Sequence, residues 1–301
     1  MSESGQALAT PPVTATLMPT SSFSWWRAAV LVAVVGILYA GTLAKMADQW
    51  WNDPNFSHGF FVPLFSAYVV WQSRQRLRSL TVQPATVPGL LVILFSLATL
   101  VVGTLGAELF LSRASFILLL AGLVLYFGGW KYFRALLFPW ACLFLMVPIP
   151  TIVFNAITFP LQLVASKIAT GMLGLLGVPV LREGNVIRIP AMPLEVAEAC
   201  SGIRSLVSLT TLAVIYGYFL ESSFSRRVLL IIAAIPIAVL ANGLRITGTG
   251  LVAQFWDPAK AQGFFHEFSG WVIFLISLAM LFVFDRLLRI GDSKRLRVVQ
   301  P

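Results

Sequence analysis

Charged residues are scarce in this chain: lysine and arginine number 21 and aspartate and glutamate 12, together 11% of 301 residues. Soluble globular domains carry charge on about a quarter of their residues. Hydrophobic residues, by contrast, make up 58% of the chain. The composition excludes a soluble globular domain and predicts an all-α protein that crosses a membrane several times.

Cysteine and histidine are also rare, with two of each. The two cysteines, Cys142 and Cys200, form no disulfide framework, and no group of cysteines and histidines has the spacing of a zinc site. We therefore expect neither a metal nor another cofactor. Cys142 lies within an apolar stretch, where a cysteine usually packs as a small hydrophobic residue.

The net charge is +9, which in a soluble protein would suggest binding to nucleic acid. Here the basic residues lie between and beyond the apolar stretches, a pattern that sets the orientation of membrane proteins. Nucleic acid is therefore excluded as a partner. The positive-inside rule predicts that four basic groups, 74–78, 131–134, 226–227 and 286–297, are all cytoplasmic.

The apolar stretches predict about eight transmembrane helices. A tail rich in Ser, Thr, Pro and Ala (1–26) is expected to be disordered and cytoplasmic, and residues 291–301 to form a basic cytoplasmic tail. Residues 27–290 are then one multi-pass membrane domain that holds the catalytic site. The predicted spans are 28–44, 60–71, 87–102, 114–127, 135–147, 203–220, 228–245 and 268–288.

The segment 152–176 is predicted not to cross, because five spans from a cytoplasmic N-terminus already end outside. Its polar residues recur every three or four positions, as a stripe on one face of a helix. This pattern favours a helix in the outer interface, with Lys167 beside the stripe. The alternative is an ordinary span packed against a polar cavity. The stripe consists of Asn155, Thr158, Gln162, Ser166 and Thr170.

The segment 180–196 predicts a short extracytoplasmic β-hairpin, because a Glu-Gly-Asn turn is followed by β-branched residues. It leads into EVAEACSGIRSL (195–206), which places Cys200 at the outer mouth of the sixth span. The next span rises about 30 Å and returns Arg245 to the same face. His266 precedes the last span at that face. Topology alone therefore brings Cys200, Arg245 and His266 to one side of the membrane.

These three side chains have complementary chemistry. A thiolate is the nucleophile, and a nearby cation and imidazole raise its population. Histidine can protonate the leaving amine and deprotonate an incoming acceptor. Arginine offers a fixed set of donors to the oxyanion of a tetrahedral intermediate. The combination is typical of a cysteine acyl transferase.

Each role has a rival interpretation. Arg245 could reach to the outer headgroups. His58, at the outer end of the second span, could be the base in place of His266, which would then cap a helix. Arg204, four residues after the cysteine, could bind the oxyanion. Glu198 and Asn242 could orient the other groups or simply cap helix ends.

Four stretches of the chain resemble, in order, the exosortases, membrane cysteine transpeptidases that, with the archaeosortases, process proteins carrying tripartite C-terminal sorting tails. The resemblance implies a catalytic set of Cys200, Arg245 and His266. It also implies cleavage of exported proteins behind a Pro-containing signal of the PEP-CTERM type, at the outer face of the cytoplasmic (inner) membrane. The stretches are SHGFFVP (57–63), EACSGIRSL (198–206), ANGLRI (241–246) and HEFSG (266–270).

The substrates implied by the resemblance are membrane-tethered proteins that end in the Pro-containing motif, an apolar helix and a basic tail. The acyl group would pass to an acceptor such as an envelope polysaccharide or lipid, or to water in a hydrolytic protease. The competing class is a transporter or export component for an envelope polysaccharide, with Arg245, Arg204 and His266 lining an anionic path. That class needs polar residues through several spans, and the stretch 87–127 offers few.

Overall fold

The computed structural model of the chain consists of α-helices and one small β-sheet. It describes residues 25–196, 203–221, 223–258 and 264–298, with the backbone alone for 203, 264–267 and 290–298. The chain divides into a unit that ends at Ala40 and a larger unit from Gly41 onward. The helices are α1 (Trp25–Asn52), α2 (Phe61–Gln72), α3 (Arg74–Ser79), α4 (Thr86–Leu105), α5 (Leu109–Gly128), α6 (Trp130–Cys142), α7 (Thr151–Leu175), α8 (Ile203–Leu220), α9 (Phe224–Phe255) and α10 (Phe264–Val298).

Six helices of the described chain are long and apolar enough to cross a membrane: α1, α4, α5, α7, α9 and α10. Five of them coincide with predicted spans. Helices α2, α6 and α8, at the other three predicted spans, are shorter than about 20 residues, the length that a bilayer requires. The class of polytopic helical membrane protein is therefore confirmed, whereas the count of eight spans stays a prediction.

Helices α4 and α5 form a close antiparallel pair because glycines face the partner helix. A Cβ placed on Gly89 would lie 2.5 Å from the backbone of Tyr126, and one on Gly122 would lie 2.9 Å from the backbone nitrogen of Ile93. Small residues let two helix backbones approach in this way inside a membrane. Many of the large side chains on the opposite face of α4, such as Leu91 and Phe95, are exposed, as expected next to lipid.

Helix α7 differs in part from the sequence prediction. Its polar stripe does not lie on the exposed face, because Thr158, Gln162 and Ser166 are buried. The Ser166 hydroxyl donates to the backbone oxygens of Leu163 and Gly184. The burial agrees with the alternative of a helix packed along a polar interior, and the interfacial placement is not confirmed.

Helices α7 and α9 lie side by side and run in the same direction. Gly243 packs against Ile168, the Thr247 hydroxyl is 3.8 Å from the sulfur of Met172, and Gly250 packs against Leu173. The contacts thus advance together along both helices. The segment that follows α7 is therefore delivered to the C-terminal half of α9.

That segment folds into an antiparallel sheet of β1 (Leu181–Glu183), β2 (Val186–Arg188) and β3 (Pro193–Glu195), in the order β1-β2-β3. The register pairs Arg182 with Ile187, and Ile187 with Leu194. Gly184 in the first turn has φ +66°, which favours glycine. The predicted hairpin is confirmed, and β3 is an additional strand.

Helix α9 lies between α8 and α10 and runs antiparallel to both. Gly217 of α8 packs on Arg227 near the start of α9. The end of α10 returns to the same level, where Arg289 contacts Glu221 at 2.7 Å. Rings near the end of α2 pack on Phe219 of α8. The basic groups of α2–α3, α9 and α10 therefore share one end of these helices, which we call the basic end.

The fourth basic group lies at the same end, because α2 and α6 are antiparallel. His58, just before α2, meets Leu145, just after α6, and further along Phe65 packs on Phe138. Moving the same number of residues away from the Phe65–Phe138 contact, forward along α2 and back along α6, leads to Gln72 and Lys131. These two residues are therefore level with each other. All four basic groups thus lie at one end of the helices, as expected if all four face the cytoplasm.

Candidate functional site

The start of α8, which follows Cys200 in the sequence, and the start of α10 lie away from the basic end, at the opposite end of this helix group, which we call the site end. The strand that leads there is held firmly. Leu194 of β3 packs on Gly250 of α9, and the fully buried Ile187 of β2 belongs to the same apolar cluster. The backbone nitrogen of Val196 donates to the Asn185 carbonyl at 2.9 Å. The chain is therefore anchored up to the last described residue before the cysteine segment.

Cys200 itself and Glu198 lie outside the described residues. The first described residue after them is Ile203, which opens α8. Equal steps from the Gly217–Arg227 contact, back along α8 and forward along α9, lead to Ile203 and Ala241. The start of α8 is therefore level with the middle of α9.

Arg245 lies inside α9, at the residue where the sequence predicted that the span ends. The helix continues for further turns to Phe255. The side chain is partly buried, and its Nε donates to the Ser269 hydroxyl of α10 at 3.1 Å. The guanidinium also lies beside Gly270, where an added Cβ would be in ordinary contact with Nη2 at 3.8 Å. Arg245 is therefore fastened to the first turns of α10.

His266 lies in the first turn of α10, one turn before Ser269. Its backbone is described and its imidazole lies outside the described atoms. Because Ser269 bonds to Arg245, the position of His266 is within one helical turn of a residue that contacts the guanidinium. The structure thus brings the start of α8, Arg245 and the start of α10 to the site end.

His58 is held as a structural residue. It is buried, and its Nε2 lies 3.1 Å from the backbone oxygen of Leu145. A carbonyl oxygen only accepts, so Nε2 carries the proton. Burial lowers the pKa of His58 below its ordinary value, against the raising effect of the Leu145 and Asn55 carbonyls. The ring is therefore neutral at pH 7, and it joins the 3₁₀ turn Ser57–Phe60 to the turn Leu143–Met146.

The remaining candidates differ in burial. Arg204 is exposed in the first turn of α8, which begins at Ile203, so the predicted shared helical face with Cys200 is not tested. Asn242 lies in the interior of α9, so it is not a helix cap as one interpretation held. Its side chain is only 2% exposed, and no partner in the described structure bonds to its carboxamide nitrogen or oxygen.

A polar network at the basic end was missed by the sequence analysis. The buried carboxylate of Glu221 contacts Arg226 at 3.1 Å and Arg289 at 2.7 Å. The buried carboxylate of Asp285 accepts from Tyr216 at 2.7 Å and from Arg289 at 2.9 Å. The i,i+4 spacing of Asp285 and Arg289 could have indicated one of these pairs. The network ties α8 and the start of α9 to α10.

Ser269 is the second residue that the sequence analysis overlooked, although it lies within the HEFSG stretch. Its hydroxyl joins α10 to Arg245. A serine beside a histidine and a glycine at the start of an apolar helix gives no distinctive signal of its own. Only the packing of α9 against α10 reveals the contact.

The long apolar helices define a polytopic membrane protein, and the comparison with protein families agrees. The family described as transmembrane exosortase matches residues 50–283. Because this range covers most of the chain, the protein belongs to that family of membrane sorting transpeptidases, which act on protein sorting signals. No curated protein and no solved structure gives a significant match.

Proposed function

We propose that the protein cleaves C-terminal sorting signals of exported proteins through a thioester on Cys200, with Arg245 and His266 completing the catalytic set. The site faces the outer side of the cytoplasmic membrane. The observation that carries this proposal is the Arg245–Ser269 hydrogen bond at the site end. It joins the arginine to α10, whose first turn contains His266, near the level of the start of α8.

The reaction uses Cys200 as nucleophile, Arg245 for the oxyanion, and His266 first as acid and then as base. The Cys200 thiolate attacks the scissile carbonyl, and Arg245 stabilises the oxyanion that forms. The peptide bond breaks as His266 gives a proton to the leaving amine, which departs with the tail. The acceptor then loses a proton to His266 and attacks the thioester, which releases the acylated acceptor and restores the thiolate.

The proposed substrates end in a Pro-containing motif, an apolar helix and a basic tail. Such a tail crosses the membrane beside the enzyme with its basic end in the cytoplasm, because the same positive-inside rule orients both chains. The scissile bond then lies just outside its own helix, near the level of the site end. The acceptor is proposed to be an envelope polysaccharide or lipid.

The decisive experiment is co-expression of Cys200→Ala with a tailed substrate, followed by the size shift of the substrate. We expect no processing while the variant still inserts in the membrane, because removal of the nucleophile costs several orders of magnitude in rate. Wild-type enzyme should carry a hydroxylamine-sensitive adduct. The matched control is Cys142→Ala, since Cys142 is buried at the end of α6. Normal processing by Cys200→Ala would contradict the enzyme function and favour the transporter class.

The side of the membrane needs its own test. Reporter fusions at Gly184, in the turn of the sheet, and at Ala261, between α9 and α10, should both report an outer location. A fusion after Arg289 should report the cytoplasm, because this arginine lies at the basic end. A cytoplasmic signal at Gly184 would overturn the outward-facing site.

A further inference from the structure

Asn242 is a buried polar residue that the fold itself does not explain. It lies in the interior of α9 with 2% of its surface exposed. In the described structure both polar atoms of its carboxamide are without a hydrogen-bond partner. Leaving a buried polar group unpaired costs about 1–3 kcal/mol, so an apolar residue of the same shape would stabilise the fold better.

The location of Asn242 connects it with the proposed site. It precedes Arg245 by three residues, so the two positions share one face of α9. Ile203, at the start of α8, is level with the neighbouring Ala241. In the sequence Cys200 precedes Ile203 by three residues. Asn242 therefore lies one helical turn from Arg245 and level with the start of α8, and its carboxamide has no partner among the described residues.

We propose that the side-chain amide of Asn242 is a second oxyanion donor, beside Arg245, for the tetrahedral intermediate on Cys200. The inference rests on the proposed function. A donor with no partner among the described residues is available to the oxyanion when it forms, and a hydrogen bond made only in that state lowers the barrier. Burial strengthens the bond further, because water does not compete for the amide.

The test is the variant Asn242→Leu, which keeps the volume of the side chain and removes both polar atoms. Loss of one oxyanion donor lowers kcat by about 10²–10³-fold. We expect that loss in single-turnover processing of a tailed substrate, with KM nearly unchanged. The thermal stability of the variant should equal or exceed that of the wild type, since an unpaired amide has been removed.

Thr211→Val is the matched control. Thr211 of α8 is also buried, at 4% exposure, and its hydroxyl has no partner in the described part of the chain. It differs in position, because equal steps from the Gly217–Arg227 contact place it level with Ala233, toward the basic end. The variant should gain or keep stability and process substrate normally.

The outcomes separate this inference from the proposed function. Inactive Cys200→Ala together with inactive but folded Asn242→Leu supports both. Inactive Cys200→Ala with fully active Asn242→Leu overturns the oxyanion role and leaves the transpeptidase intact. If Asn242→Leu fails to accumulate in the membrane, Asn242→Ala replaces it, and normal turnover by that variant also overturns the role. Normal processing by Cys200→Ala overturns the proposed function and this inference with it.

Discussion

The buried polar groups at the two ends of α8, α9 and α10 differ in whether they have hydrogen-bond or ion-pair partners. At the basic end, the carboxylates of Glu221 and Asp285 are almost completely buried, and arginine side chains lie within 3.1 Å of each. At the site end, the carboxamide of Asn242 is equally buried and has no partner among the described residues. The comparison teaches that burial of a polar group does not by itself reveal a role. Partners and position have to be considered together, because Thr211, toward the basic end, is also buried without a partner among the described residues.

The physical reason lies in the cost of removing a polar group from water. Opposite charges offset that cost where the geometry is good, as for Arg289, which contacts both Glu221 and Asp285. Such a network stabilises one arrangement of the three helices. An unpaired amide destabilises the resting fold and keeps a donor available for a partner that arrives later. The basic end is therefore expected to determine stability, and the site end to determine activity.

After Cys200, the largest effect is expected at His266. His266→Ala should lower processing by about 10²–10⁴-fold, the usual contribution of a general acid–base. His58→Gln should stay active, because glutamine can still donate to the Leu145 carbonyl that His58 contacts. Both variants are measured by substrate size shift at equal amounts of enzyme in the membrane. Equal and complete loss in both would leave the base unassigned and contradict the structural role of His58.

Arg245→Lys should lower processing by about 10²-fold or more despite keeping the charge. Lysine lacks the planar guanidinium with which Arg245 donates a hydrogen bond to Ser269 and, in the proposed mechanism, another to the oxyanion. The measurement is single-turnover cleavage of a tailed substrate. Arg204→Lys is the control, since Arg204 is exposed in the first turn of α8. Near-normal cleavage by Arg245→Lys would mean that Arg245 has only a structural role. Arg204 would then be the candidate donor to the oxyanion.

Asp285→Asn should change stability with little change in activity. The substitution keeps the shape of the side chain but leaves Arg289 with one carboxylate partner fewer. We expect the Tm in detergent to fall by several degrees, with normal processing per folded molecule. Glu183→Gln is the control, because the Arg188–Glu183 pair is 60% and 50% exposed and such pairs contribute little. Loss of turnover by a fully folded Asp285→Asn would show that the basic end contributes to activity as well as to stability.

The smallest effect concerns the pH dependence of stability through His58. Its pKa is lowered in the folded protein by burial, so the unfolded chain binds a proton first as the pH falls below about 6.5. The contribution of neutral His58 is thus fully present above that pH and is progressively lost below it. Thermal unfolding between pH 7.5 and pH 5 should show a smaller pH dependence in His58→Gln than in the wild type. An unchanged slope would contradict the assignment.

Several features of the fold could be predicted from local sequence. Composition identified a polytopic helical protein, and the Glu-Gly-Asn turn identified the hairpin before Cys200. The spacing of basic groups between apolar stretches predicted that they share one side, and the contacts at α2, α6, α8 and α10 bring them to one end. These features depend on residues close in the chain, so a single sequence contains their signals.

Only the tertiary structure decided which polar groups have partners. The end of α9 was predicted at Arg245, yet the helix continues to Phe255 because β-strands and α7 cover its C-terminal half. In the polar stripe of α7, Thr158, Gln162 and Ser166 are buried, whereas Asn155 is exposed. Glu221 meets Arg289, and Arg245 meets Ser269, across separate helices, whereas Asn242 meets no described partner. Local patterns contain no signal for these outcomes, because each is set by how helices distant in sequence pack against one another.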